Sequence, residues 1–163
     1  MHKTRGFSYI EMVFSVVMLA MLAAVATPYL EKNIQRKKET ELRQNLRQIR
    51  TAIDAYKAAA DAGKIKRAVG DSGYPPNLQI LAEGVEDISS LNKQKLYFIR
   101  RIPADPLFPL NNQPAERAIN PADTCGKRSY ASDADYPREG AELYDVYSLS
   151  SDIAINGVAY SDW

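Results

Sequence analysis

Histidine and cysteine are almost absent from this chain. Of 163 residues, only His2 carries an imidazole and only Cys125 a thiol. One cysteine permits no intrachain disulfide and says nothing about redox compartment, so the expectation is a free, buried thiol. His2 stands in the short basic start MHKTRG, and a chain trimmed of that stretch would hold no histidine at all. Ser-His-Asp and Cys-His catalysis then drop out, together with most zinc sites. There is no glycine-rich phosphate cradle, no internal repeat and no low-complexity run. Carboxylate chemistry survives these exclusions but has no recognisable motif here, so no enzyme is expected. The formal charge of +1 is too small for strong nonspecific nucleic-acid binding, and loss of Lys3 and Arg5 with a leader would bring it to −1.

What is present is unevenly spread. The length allows one globular domain plus an appendage. Hydrophobic and charged fractions of 45% and 25% are those of a folded chain and argue against wholesale disorder. Much of the apolar content lies in residues 7–30, FSYIEMVFSVVMLAMLAAVATPYL, where Glu11 is the only charge. A helix of this length spans the roughly 30 Å hydrocarbon core of a bilayer. Lys3 and Arg5 would hold its amino-terminal side in the cytoplasm.

Three readings compete for this segment. A secretory signal would use Met12–Ala26 as its apolar core and Ala24-Val25-Ala26 as its cleavage site. A plain signal anchor would use the whole run. Neither accounts for Glu11, because a carboxylate within a membrane helix costs about 2.5–3.5 kcal/mol unless it is paired. Neither accounts for a glycine followed by phenylalanine at the end of the basic stretch.

Both features belong to a third reading. Gly6-Phe7-Ser8-Tyr9-Ile10-Glu11 resembles the prepilin signal of type IV pilins and pseudopilins, G|FxxxE. The resemblance implies cleavage between Gly6 and Phe7 by a membrane prepilin peptidase and methylation of the new Phe7 amine. It also implies that the Glu11 carboxylate meets the free amine of a neighbouring subunit during assembly. Pro28 matches a proline common in the family, where it loosens the helix by removing a backbone donor.

Beyond Pro28, Ile34, Leu42, Leu46, Ile49, Ile53, Tyr56 and Ala60 recur at helical spacing and define one apolar face. Arg36, Lys37, Glu41, Arg43, Arg47, Arg50 and Lys57 fill the other. The helix should run to about Ala62 and stop at Gly63; joined to the apolar run it would reach roughly 80 Å. Arg36-Lys37-Lys38, balanced by Glu31, Glu39 and Glu41, reads as a solvated helix face rather than a DNA or lipid site.

The chain thus divides into a leader 1–6, an apolar helix half 7–30, an amphipathic half 31–62 and a head 63–163. Within the head, Pro75-Pro76 through Gly84 suit a short helix. Leu96–Ile102, Lys127–Ser132 and Leu143–Leu149 have strand character, with turn chemistry between them. The expected class is α+β: a long helix packed on a small antiparallel sheet.

The head residues narrow the resemblance. Tyr74-Pro75-Pro76, Arg101-Ile102-Pro103-Ala104-Asp105-Pro106, Tyr144-Asp145-Val146-Tyr147-Ser148 and Asp162-Trp163 are similar to motifs of the G-type pseudopilin, the major subunit of type II secretion. Leu107-Phe108 stand where that family usually has Trp-Gly, and Asn111–Asp123 is an added polar stretch. The family commonly binds calcium in the loop after its last strand, here 150–157 and 161–162. Asp152 and Asp162 would supply carboxylates, and Ser151 or Asn156 neutral oxygens. Two acids are few for an ion that takes six to eight oxygens; a loop held by Tyr160 and Trp163 packing is the alternative.

The resemblance implies a structural subunit of the bacterial inner membrane, single-pass with a periplasmic head, that joins a filament of its own copies. Minor pseudopilins, the prepilin peptidase and an assembly platform with its ATPase are the implied partners; nucleic acid is not. A type IV pilin serving adhesion, motility or DNA uptake is the near alternative, although Cys125 alone cannot close the disulfide loop common in such pilins. An anchored binding domain that never polymerises is the more distant one.

Overall fold

The computed structural model describes residues 8–108 and 119–163. In chain order it contains the helix α1 (Tyr9–Asp61), the short helix α2 (Gln79–Glu83), and the strands β1 (Val85–Glu86), β2 (Lys95–Leu96), β3 (Cys125–Arg128) and β4 (Asp145–Ser148). Single 3₁₀ turns occupy Pro121–Asp123 and Tyr160–Asp162. The class is α+β. Two units divide the chain, Met1–Lys37 and Lys38–Trp163.

In the first unit, Ala and Val are the commonest residues, followed by Met and Leu, in a run with no Gly or Pro before Pro28, so nothing in it breaks a helix. The run is long and apolar enough to cross a membrane. Its side chains are exposed throughout, Ile10 at 76% and Val25 at 75%. Two aliphatic hydroxyls within it are satisfied locally: Ser15 donates to the Glu11 carbonyl at 2.8 Å and Thr27 to the Ala23 carbonyl at 2.9 Å. That is what an apolar solvent requires of them. Pro28 sits inside the helix, where it deprives the Ala24 carbonyl of its N–H partner.

In the second unit, α1 buries Leu42, Leu46, Ile49, Ala52, Ile53, Tyr56 and Ala60. They form one core with Leu78, Leu81, Ile99, Leu143, Val146 and Tyr160. Ile34, which the periodicity assigns to this face, is instead 57% exposed. The buried stripe begins two turns later at Leu42, because core contacts, not spacing, decide burial. The helix ends as the sequence implies. Gly63 adopts φ +70°, its N–H bonds the Ala60 carbonyl, and the Lys64 N–H bonds that of Ala59. This is a Schellman termination, in which a left-handed residue lets the chain turn back on the last carbonyls.

The sheet differs from expectation. Among the described residues two separate two-stranded antiparallel sheets form, β1 with β2 and β3 with β4, the latter in register from Cys125 opposite Ser148 to Arg128 opposite Asp145. Only Leu96 of the expected 96–102 strand lies in β2. The Phe98 and Ile99 N–H groups both turn to the Leu81 carbonyl, at 3.1 and 3.2 Å, so this stretch closes the end of α2 instead of extending a sheet. Phe98 then meets the Tyr56 ring edge-on at 5.3 Å. β3 starts two residues earlier than expected and stops at Arg128, because Ser129 N–H leaves the ladder for the Arg138 carbonyl at 2.9 Å. Gly126 lies under the Tyr147 ring: a Cβ there would come within 2.3 Å of it.

Candidate functional site

Gly6 and Phe7 lie outside the described residues. Glu11 stands in the first turn of α1, exposed, and no partner for its carboxylate is found among the described residues. A negative charge near a helix N-terminus gains about 0.3–1 kcal/mol from the helix dipole. That is well below the 2.5–3.5 kcal/mol that hydrocarbon would exact from an unpaired carboxylate. The local helix therefore does not account for the residue.

The two carboxylates proposed for calcium do not line the same cleft. Asp162 lines a cleft of about 410 Å³ together with Arg50, Arg128, Asp135, Asp145 and Trp163; Asp152 does not. Among the described residues no group of three His, Cys, Asp or Glu side chains is placed to hold a metal ion. The loop is organised by other means. Ile153 and Ala159 form a bridge, Ala154 N–H donates to the Val158 carbonyl at 2.9 Å, and the Asp152 carbonyl accepts from Tyr160 N–H at 3.2 Å.

Glu39, which sequence reasoning treats only as a solvated charge, is the loop's other support. One of its carboxylate oxygens accepts from Ile155 N–H at 2.8 Å and from the Tyr160 hydroxyl at 2.9 Å. No local motif signals this, because the partners are 116 and 121 residues away. Tyr160 also meets Trp163 edge-on at 5.1 Å, and Arg43 stacks over the Trp163 ring at 4.0 Å. The packing alternative for this loop thus has direct contacts behind it.

For a fragment covering residues 31–163, Glu39→Ala should lower stability by about 1–2 kcal/mol, since it removes two hydrogen bonds whose donors lie near enough to solvent for water to replace part of the loss. Glu39→Gln should recover part of that loss. A chelator should leave the melting temperature unchanged. A melting curve that falls on chelation and returns with calcium would restore the metal, through binding to the folded state alone.

A second cluster joins α1 to the last strand. Asp145 accepts from Arg50 at 2.7 Å and from Arg128 at 3.1 Å. Arg50 also donates to the Val146 carbonyl and to the Trp163 main-chain oxygen. Asp105, of the Pro-x-Asp-Pro turn, is buried; it accepts from Leu107 N–H at 2.7 Å and from the Ser148 hydroxyl. Its own N–H donates to the Thr124 hydroxyl at 2.9 Å.

Cys125 is free and buried, and burial pushes its thiol up to about 11. It therefore stays protonated near neutral pH and makes a poor nucleophile.

Compared with protein-family models, curated proteins and solved structures, the chain finds no significant match, so its functional reading rests on these residues.

Proposed function

We propose that the chain is a structural, non-enzymatic subunit of a pilus-like filament, resembling the major pseudopilin of type II secretion. In this reading the subunit is anchored in the bacterial inner membrane with its head in the periplasm, is cut between Gly6 and Phe7, and is methylated at Phe7. Assembly into a filament of its own copies then drives protein export across the outer membrane. Minor pseudopilins, the peptidase and the platform are its partners, and the platform's ATPase supplies the energy.

One observation carries the reading: helix α1 is exposed and apolar on all sides at Tyr9–Leu30 and buries a single face from Leu42 to Ala60. Each large apolar side chain left in water forgoes about 1.5–3 kcal/mol. Roughly ten of them would outweigh the 5–15 kcal/mol by which a domain is usually stable. Such a surface needs lipid before assembly and neighbouring helices after it. The pilin-like fold, a long helix carrying a small head, supplies both states with the same segment. Glu11, at the start of that surface, is the assembly residue, and Pro28 gives its backbone local freedom.

Mass spectrometry of the protein recovered from its host tests the first step. The expected chain begins with a methylated Phe7. A chain beginning at Thr27 would overturn the proposal, because that is the product of an ordinary signal peptidase.

A further inference from the structure

We propose that Lys32, Lys37 and Lys38, with Arg36, form a cationic collar that seats the apolar helix against anionic phospholipid headgroups. The inference rests on the membrane-anchored reading and adds the lipid class to it. These side chains are exposed and follow directly on the apolar run that ends at Leu30.

Their placement argues for a lipid surface. At about 100° per residue, Lys32, Arg36, Lys37 and Lys38 point in directions spread around most of the helix. A protein partner would be met by a stripe, whereas a headgroup layer surrounds the helix. Along the axis, Lys32 to Lys38 lie about 3–12 Å beyond Leu30. The headgroup layer is about 5–8 Å thick on each side. Helical side chains lean toward the N-terminus, here back toward the apolar run, and lysine stems extend that reach.

Three acids, Glu31, Glu39 and Glu41, stand nearby on α1 against the four cations. Glu39 keeps its charge while its carboxylate is turned to Ile155 and Tyr160. The stretch therefore keeps a net charge of +4 − 3 = +1, and Tyr29, 70% exposed, supplies an aromatic at the interface level.

The test uses the full chain in phosphatidylcholine vesicles, carrying Lys3→Gln and Arg5→Gln so that the leader's cations do not contribute. Electron spin resonance measures the motionally restricted fraction of trace spin-labelled phosphatidylglycerol against labelled phosphatidylcholine. The collar should give about a fivefold preference for phosphatidylglycerol, the equivalent of about 1 kcal/mol. Lys32→Gln/Lys37→Gln/Lys38→Gln should bring the ratio close to one, as should high salt. Equal restriction of both lipids, or a preference that survives the triple substitution, overturns the collar while membrane insertion stands. If neither lipid is restricted, the anchored reading itself falls.

Discussion

Glu11→Ala should give a chain that inserts in the membrane and is still cleaved, but that assembles poorly or not at all. Insertion survives because the change removes the one charge from the apolar run and makes it more apolar. Assembly suffers because, on the proposed reading, the amine of a neighbouring Phe7 loses its counter-charge in a low-dielectric setting. Removing one member of a buried ion pair typically costs about 3–5 kcal/mol, or two to four powers of ten in an association constant. Glu11→Asp should be intermediate, since it keeps the charge and shortens the reach. Electron microscopy of filaments and a secretion assay read the outcome. Wild-type filaments and secretion from Glu11→Ala would refute the role, and would leave Glu11 as an acid lying at headgroup depth without a partner.

The second large effect is expected at Asp105. Its buried carboxylate joins the Pro103–Pro106 turn to β4 by accepting from Leu107 N–H and the Ser148 hydroxyl. Alanine leaves both donors in the interior with no acceptor. Each buried polar group so orphaned costs about 1–3 kcal/mol. Asp105→Ala should therefore destabilise the 31–163 fragment by about 3 kcal/mol, lowering its melting temperature by roughly 10 °C. Asp105→Asn should lose less, because its amide oxygen still accepts from Leu107 and the Ser148 hydroxyl can turn to accept from the amide. Chemical denaturation of the three proteins side by side decides this. Equal stability of Asp105→Ala and wild type would show that water replaces the carboxylate.

These two residues divide differently between sequence and structure. Glu11 was conspicuous in the sequence, because one acid in a long apolar run is a local anomaly with a known cost. Asp105 was visible only as part of a turn motif; its burial and its bond to Ser148, 43 residues on, came from the tertiary fold. The first is a property of composition, the second of packing.

The same division runs through the rest of the molecule. By itself the sequence determined the long helix, its change from all-round apolar to one-sided, its stop at Gly63, the short helix before Gly84 and the isolation of Cys125. Each follows from spacing or backbone chemistry within a few residues. Only the tertiary structure decided that Ile34 lies outside the core, that the strands form two small sheets, and that Phe98 and Ile99 close α2. It alone assigned Glu39 to the loop where calcium was expected, through partners more than a hundred residues away. The physical reason is that periodicity reports which face of an element is apolar, whereas what covers that face, and which carbonyl or carboxylate takes each donor, depends on chain segments brought together only by folding.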